Sequence, residues 1–248
     1  MSKEAKRWWE ANGRAYQDEC RIPVDVHYGS GSPNESDLGL IGSVAGKRVL
    51  EIGCGGAQCS VAFAKQGAIV TAVDIAASEL EYAQELASQN KVTITFHQLN
   101  LENLSPIADE SQDIVFSACA LPYVDDLLSC FREAHRVLKE KGLFVFSQGH
   151  PVFGLVNPET LVLEKSYFET GKVVLGEDSD VPFASNYRTV SDIFNLLVDA
   201  GFIVERMIEP DSREKYPYDS WYGKWNNTPK LMQKLPATII VKSRKGKN

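Results

Sequence analysis

The sequence predicts an α/β protein, a Rossmann-like open sheet of mostly parallel strands with helices on both faces. Three observations carry this. A run of strand character, Arg48-Val49-Leu50-Glu51-Ile52, passes into the glycine turn Gly53-Cys54-Gly55-Gly56 and then into a helical stretch, Ala57 to Gln66. From Lys47 to Ser147 strands and helices alternate, which implies right-handed crossovers and a parallel sheet. An acid, Asp74, ends the second strand 19 positions after Gly55, close to the spacing at which a carboxylate beside a glycine turn meets ribose hydroxyls.

The elements follow in order. Lys3 to Cys20 has the pattern of an amphipathic helix carrying Trp8, Trp9 and Tyr16, suited to packing on the main domain or covering a ligand. Arg21 to Glu35 is rich in Gly, Pro and Ser and is expected as loop, with a short helix over Asp37–Val44. Strands are expected at Arg48–Ile52, Ile69–Val73, Val92–Gln98, Asp113–Ser117 and Leu143–Ser147, with helices at Ser78–Gln89 and Asp125–Lys139. The alternation stops at Gly149, and Pro151–Asn186 is expected to be an irregular insertion. A helix over Val190–Ala200 is closed by Gly201. Strands are expected at Ile203–Met207 and Ala237–Val241, around a second insertion at Pro210–Lys234 that carries Tyr216, Tyr218, Trp221, Tyr222 and Trp225. The chain is expected to form one domain: an N-terminal helical lid (1–46), a ligand-binding core (47–149), and substrate-side insertions at 150–187 and 210–235.

Composition sets the outer bounds. The 248 residues are 44% hydrophobic and 24% charged, ordinary for a globular protein, and the net charge of −7 argues against a nucleic-acid surface spread over the fold. The basic run Lys242–Lys247 is expected to be a short solvated end. Met1 to Ala11 lacks the apolar core of a signal peptide, and no run approaches transmembrane length. Five scattered cysteines suggest reduced thiols in a cytoplasmic protein without metal-like pairing.

The glycine turn defines the ligand more sharply. Glu51 sits just before the first glycine, where a carboxylate opposes a pyrophosphate and suits a cationic amino-acid end. With Asp74 it describes a ligand bearing a ribose and an ammonium group but no phosphates, which S-adenosyl-L-methionine satisfies. The stretch resembles the Glu-x-Gly-x-Gly motif of the class I S-adenosylmethionine-dependent methyltransferases. Ala57 stands where the fuller motif has a third glycine. The segments Glu51–Ser60, Phe146–Pro151, Tyr187–Thr189 and Asp199–Phe202 are similar to a group of small-molecule methyltransferases of the ubiquinone/menaquinone-biosynthesis (UbiE-like) type. The resemblance spans about Val44 to Lys242 and implies a seven-stranded sheet whose last strand is antiparallel.

Strand ends on the carboxyl side of such a sheet form the ligand crevice. Cofactor binding is accordingly expected at Glu51, Gly53, Cys54, Gly55, Asp74, Ile75 and Ala118. By resemblance, Asn100 should hydrogen-bond the adenine and Leu101 pack on it, although asparagine replaces the commoner aspartate and also suits a simple turn. His150, at the end of the fifth strand, is the candidate general base if the acceptor arrives protonated; a structural role in its loop is the alternative. Tyr16, Tyr28, Tyr123, Trp221, Tyr222 and Trp225 are candidates for an aromatic acceptor pocket.

The function expected is methyl transfer to a small, hydrophobic or aromatic acceptor by in-line displacement, without a metal. No nucleic-acid or membrane partner is expected, and the chain should be a monomer or homodimer. Two alternatives remain: a non-catalytic module that binds the same cofactor and regulates a partner, and a nicotinamide-dependent reductase. Glu51 in the turn opposes the reductase.

Overall fold

The computed structural model describes residues 3–176, 178–211 and 229–247, with the side chain of Pro229 excepted. Strands β1 (Arg48–Ile52), β2 (Ile69–Asp74), β3 (Ile94–Gln98), β4 (Gln112–Ala118), β5 (Leu138–Gly149), β8 (Phe202–Ile208) and β9 (Thr238–Lys245) form one sheet in the order β3-β2-β1-β4-β5-β9-β8. β1 to β5 are mutually parallel, and β9 runs antiparallel to both β5 and β8. The expected Rossmann-like seven-stranded sheet with an antiparallel last strand is therefore present.

Burial on both faces explains the unbroken apolar strands. Along β1, Val49 joins a core with Phe63, Val70, Phe116 and Val145, while Leu50 and Ile52 join the opposite core with Phe131, Phe144, Phe146 and Leu197. Helices α3 (Gln58–Lys65) and α4 (Ala77–Gln89) follow β1 and β2. Helices α5 (Leu127–Val137) and α6 (Val190–Asp199) supply the second core, and Thr189 caps α6 by accepting from the Asp192 amide.

The N-terminal helix α1 (Lys3–Cys20) lies against α4 through specific bonds. The Glu10 carboxylate accepts the backbone N–H groups of Ala77 and Ser78, two donors that the first turn of α4 cannot satisfy itself. Arg14 pairs with Glu85 at 2.8 Å. A four-residue helix, α2 (Glu35–Leu38), replaces the longer one expected over Asp37–Val44. Its Gly39 turns left-handed, and the Glu35 carboxylate takes the amides of Leu40, Ile41 and Gly42, so the chain is held as a loop.

Two other expectations are corrected. The insertion after β5 is not wholly irregular: β6 (Gly171–Leu175) and β7 (Phe183–Tyr187) pair as an antiparallel hairpin. Glycine, proline and acidic residues around it concealed the strand pattern. The basic run Lys242–Lys247 is not a free end either. β9 continues to Lys245, which is 9% exposed and donates to the Leu138 carbonyl at 2.8 Å. A lysine whose stem crosses the core edge while its ammonium meets carbonyls reads in sequence as a solvated charge. A last helix, α7 (Pro229–Met232), precedes β9. Among the described residues no helix is long and apolar enough to cross a membrane.

Candidate functional site

A cavity of about 480 Å³ opens at the carboxyl ends of β1, β2, β4 and β5, beside the start of β9. The glycine turn forms one end. Gly53 and Gly55 have φ of +69° and +49°, left-handed angles that admit glycine at little cost. A Cβ on Gly53 would lie 2.2 Å from the Cβ of Ala120, so the turn also needs the missing side chain. Ala57 takes the same left-handed region at φ +61° while fully buried. Its small size fits, but its backbone carries strain of roughly 1–2 kcal/mol that glycine would not.

Carboxylates surround this turn. Asp74 accepts the Gly55 amide through Oδ2 at 2.9 Å and the Ala76 amide through Oδ1 at 3.0 Å. Glu51 is 2% exposed and accepts the Ser60 hydroxyl from α3. Burial pushes its carboxyl up from 4.5 to about 8, and the neighbouring charge of Asp74 adds to the rise. Burial also raises Asp74, against the pull of its amide donors. A third acid, Glu79 in the first turn of α4, lines the cavity as well. Its Oε2 accepts from Gln17 of α1 at 2.8 Å, and Gln17 in turn accepts from Gln58 of α3 at 2.7 Å. Burial raises Glu79 to about 8.

These shifts have a measurable consequence. Glu51 holds its proton more tightly folded than unfolded, so its contribution to stability is complete below about 4.5 and is lost as pH rises through about 8. Ligand-free Glu51→Gln keeps an oxygen for Ser60 and removes that loss. At pH 8.5 it should melt higher than the parent by on the order of 2 kcal/mol, or about 4–8 °C in Tm, with little difference at pH 5. Melting curves that run parallel at both pH values would contradict this.

The other part of the cavity is aromatic. Trp9 and Tyr16 of α1, Tyr123 after β4 and Phe183 of β7 all line it. Trp9 packs edge-on against Tyr16 and Tyr123 at centroid separations of 5.2 and 5.5 Å, and Tyr123 against Phe183 at 5.6 Å. Among the described residues, the lysine and arginine on the wall, Lys165 and Arg188, come from the segment after β5, and Arg188 is spent on the Val124 and Asp125 carbonyls.

His150 lies on the cavity wall and is largely buried. Its Nδ1 is 3.2 Å from the Val152 amide, which can only donate, and its Nε2 is 2.8 Å from Glu209. The ring is therefore neutral with its proton on Nε2, and neither nitrogen is free. Burial lowers its pKa, which the Glu209 carboxylate partly offsets. The fixed ring does not suit the expected general base.

Of the residues expected at the cofactor, Glu51, Gly53, Cys54, Gly55, Asp74 and Ala118 come together on the cavity. Ile75, Asn100 and Leu101 do not line it. Leu101 is wholly buried in the α5-side core, and Asn100 takes the Glu102 amide in a side-chain turn, the alternative its residue type left open. Tyr16 and Tyr123 line the cavity, but Tyr28 does not: its ring packs with Phe116 in the other core and its hydroxyl donates to Glu35. Trp221, Tyr222 and Trp225 lie outside the described residues. Glu79 and Phe183 were missed. A glutamate in a helix's first turn reads as a dipole-stabilising surface acid, and Phe183 sat in a segment expected to be irregular. The signal for Gln17 was Gly13, one helical turn earlier, where any Cβ would meet the Glu79 carboxyl at 2.5 Å.

Known proteins share this architecture. The family model described as "Methyltransferase domain" matches residues 50–146. A ubiquinone biosynthesis O-methyltransferase of Histophilus somni is 32% identical over 151 residues, which cover 59% of this chain and 60% of that protein. The chain thus aligns with about three fifths of that relative's length. Among solved structures, an S-adenosylmethionine-dependent methyltransferase of Mesorhizobium loti has a TM-score of 0.67 at 24% identity, over 84% of this chain and 95% of that one. The [4+2]-cyclase SpnF has a TM-score of 0.66 at 15% identity, over 98% and 95%.

Proposed function

We propose that this chain, which matches a methyltransferase domain over residues 50–146, is a class I S-adenosylmethionine-dependent methyltransferase that methylates a small aromatic or hydrophobic molecule. The observation that carries this is the division of one cavity into an acidic end at the glycine turn and an aromatic end between α1, Tyr123 and Phe183. S-Adenosyl-L-methionine fits the acidic end. On this reading Asp74 takes the ribose hydroxyls and Glu51 the methionine ammonium, directly or through water, which their positions on the cavity wall beside the glycine turn support. A pyrophosphate would instead meet Glu51, Asp74 and Glu79 with no cation among the described residues to offset them at that end, which opposes a nicotinamide cofactor.

The cofactor supplies an electrophilic methyl on a sulfonium. With that cofactor bound, an acceptor lone pair would take the methyl as the carbon–sulfur bond breaks, the electron pair would stay on sulfur in a neutral thioether, and an acceptor O–H or N–H would release its proton to solvent. The protein's task is alignment and exclusion of water. Trp9, Tyr16, Tyr123 and Phe183 provide flat walls that orient a planar acceptor. His150, locked between Val152 and Glu209, fixes the loop that leaves β5 along the cavity wall.

The test has two steps. Titration calorimetry establishes whether the cofactor and its thioether product bind. Incubation with a panel of phenols, quinols and aromatic amines, read by the mass gain of one methyl, then identifies the acceptor. Tight cofactor binding with no transfer to any member would favour a non-transferring role, a live second reading because SpnF shares the fold and is a cyclase. Binding of neither ligand would remove the proposal. With the acceptor in hand, His150→Ala should lower turnover less than tenfold and keep the acid limb of the pH profile. A fall of about 10² or more with loss of that limb would restore the general base.

A further inference from the structure

We propose that Gln148 is a specificity residue that selects the methyl acceptor, favouring an uncharged planar molecule with a hydrogen-bond donor and a carbonyl-like oxygen side by side on one edge. The assignment rests on the proposed methyl transfer, in which the aromatic end of the cavity holds the acceptor. Gln148 lies near the end of β5, lines the cavity and is 6% exposed. Its backbone pairs with Ile239 of β9, but among the described residues its carboxamide has no hydrogen-bond partner. Neither polar atom of the carboxamide is sealed from solvent, so the group stays open toward the cavity it borders. A carboxamide buried to this degree is costly unless something meets it.

The fold itself has no use for an amide at this position. Phe144 and Phe146 belong to the core under α5 and α6, and strand alternation puts Gln148 next in the same column. Its register partner Ile239 and nearby Ala120 are members of that core too. An apolar side chain would extend the core; a carboxamide instead presents N–H donors and a carbonyl oxygen in one plane. The charges of this end favour a neutral partner for it. Arg188 is spent on the Val124 and Asp125 carbonyls, and burial holds the Tyr123 phenol protonated. Lys165 and Glu169, of opposite sign, are exposed. A charged acceptor would therefore meet no buried counter-charge among the described residues at this end, whereas a neutral polar edge meets Gln148. Discrimination follows, because an analogue that lacks the polar edge leaves the buried amide unpaired.

The experiment saturates the protein with the thioether product and titrates in benzamide, acetophenone and ethylbenzene, followed by NMR. These probes have nearly one shape and differ in polar edge: donor and oxygen, oxygen alone, neither. The comparison is between the parent and Gln148→Met, which keeps the length of the side chain and removes both polar atoms; Gln148→Leu serves if the methionine variant folds poorly. The ratio of benzamide to ethylbenzene affinity should fall roughly tenfold in the variant, with acetophenone in between. The ligand-free variant should melt no lower than the parent, because the unmet amide has gone. A ratio that changes by less than threefold would overturn the assignment, as would an equal loss of all three probes, which marks a merely structural role. A product-bound parent that takes none of the probes would overturn the acceptor reading of this end and the selection with it. Failure to bind the thioether product would instead remove the functional reading beneath both.

Discussion

Gly53→Ala is expected to abolish cofactor binding and to lower stability by roughly 2–5 kcal/mol. Two costs combine. At φ +69° a Cβ meets its own backbone, and in space it would stand 2.2 Å from the Ala120 Cβ. Ala120 belongs to the chain after β4 and to the core beneath it, so it cannot retreat without moving Leu121 and Val124. Gly42→Ala is the matched control. Gly42 has φ +72°, and a Cβ placed there would have nothing within 4 Å, so only the backbone cost of about 1–2 kcal/mol should appear. Urea unfolding of the two variants separates the terms. Equal losses would mean that the contact with Ala120 relaxes freely.

Asp74→Ala should weaken the cofactor by roughly 1.5–3 kcal/mol, about tenfold to over a hundredfold, the range for hydrogen bonds to a charged group. The structure adds a second effect. The carboxylate also holds the amides of Gly55 and Ala76, so its removal leaves two backbone donors without their partner. A further loss of about 1–3 kcal/mol in stability of the ligand-free protein is expected. Asp74→Asn keeps one acceptor oxygen and should fall between the parent and Asp74→Ala in both measurements. Calorimetry showing parental affinity in folded Asp74→Ala protein would remove the ribose assignment.

Much of the sheet was legible because its strands are buried on both faces. Val49, Leu50 and Ile52 could only be core, and the glycines after them could only turn. Local pattern failed where tertiary pairing decides. β7 forms because Phe183–Tyr187 meets β6 across a hairpin, and Phe183 then packs on Trp8 and Tyr123. The end of β9 is strand because β5 and β8 flank it, whatever charges it carries. In the site, spacing picked out the residues of the glycine motif that border the cavity. Tyr28 was not separable from Tyr16 by type: one is 0% exposed in the core and the other borders the cavity. His150 was correctly placed at the end of β5, but only its three-dimensional surroundings show that Val152 and Glu209 occupy both of its nitrogens.

The position of β9 between β5 and β8 separates the two parts of the cavity in folding time. The glycine-turn end is drawn from residues 51–79 and from α1, and its strand β1 pairs with β2 across 21 residues (Arg48 with Ile69) and with β4 across 65 (Val49 with Ile114). The opposite rim needs Thr238 beside Gly149, a pairing across about 90 residues. Closing so long a loop adds little to the equilibrium cost, which grows only with the logarithm of length, but pairings at such separation are slow to find. The cofactor end should therefore be in place before the acceptor end closes over it. Pulse-labelled hydrogen exchange would show amides of β1 and β4 protected ahead of those of β9, and simultaneous protection would mean that the sheet forms as one unit.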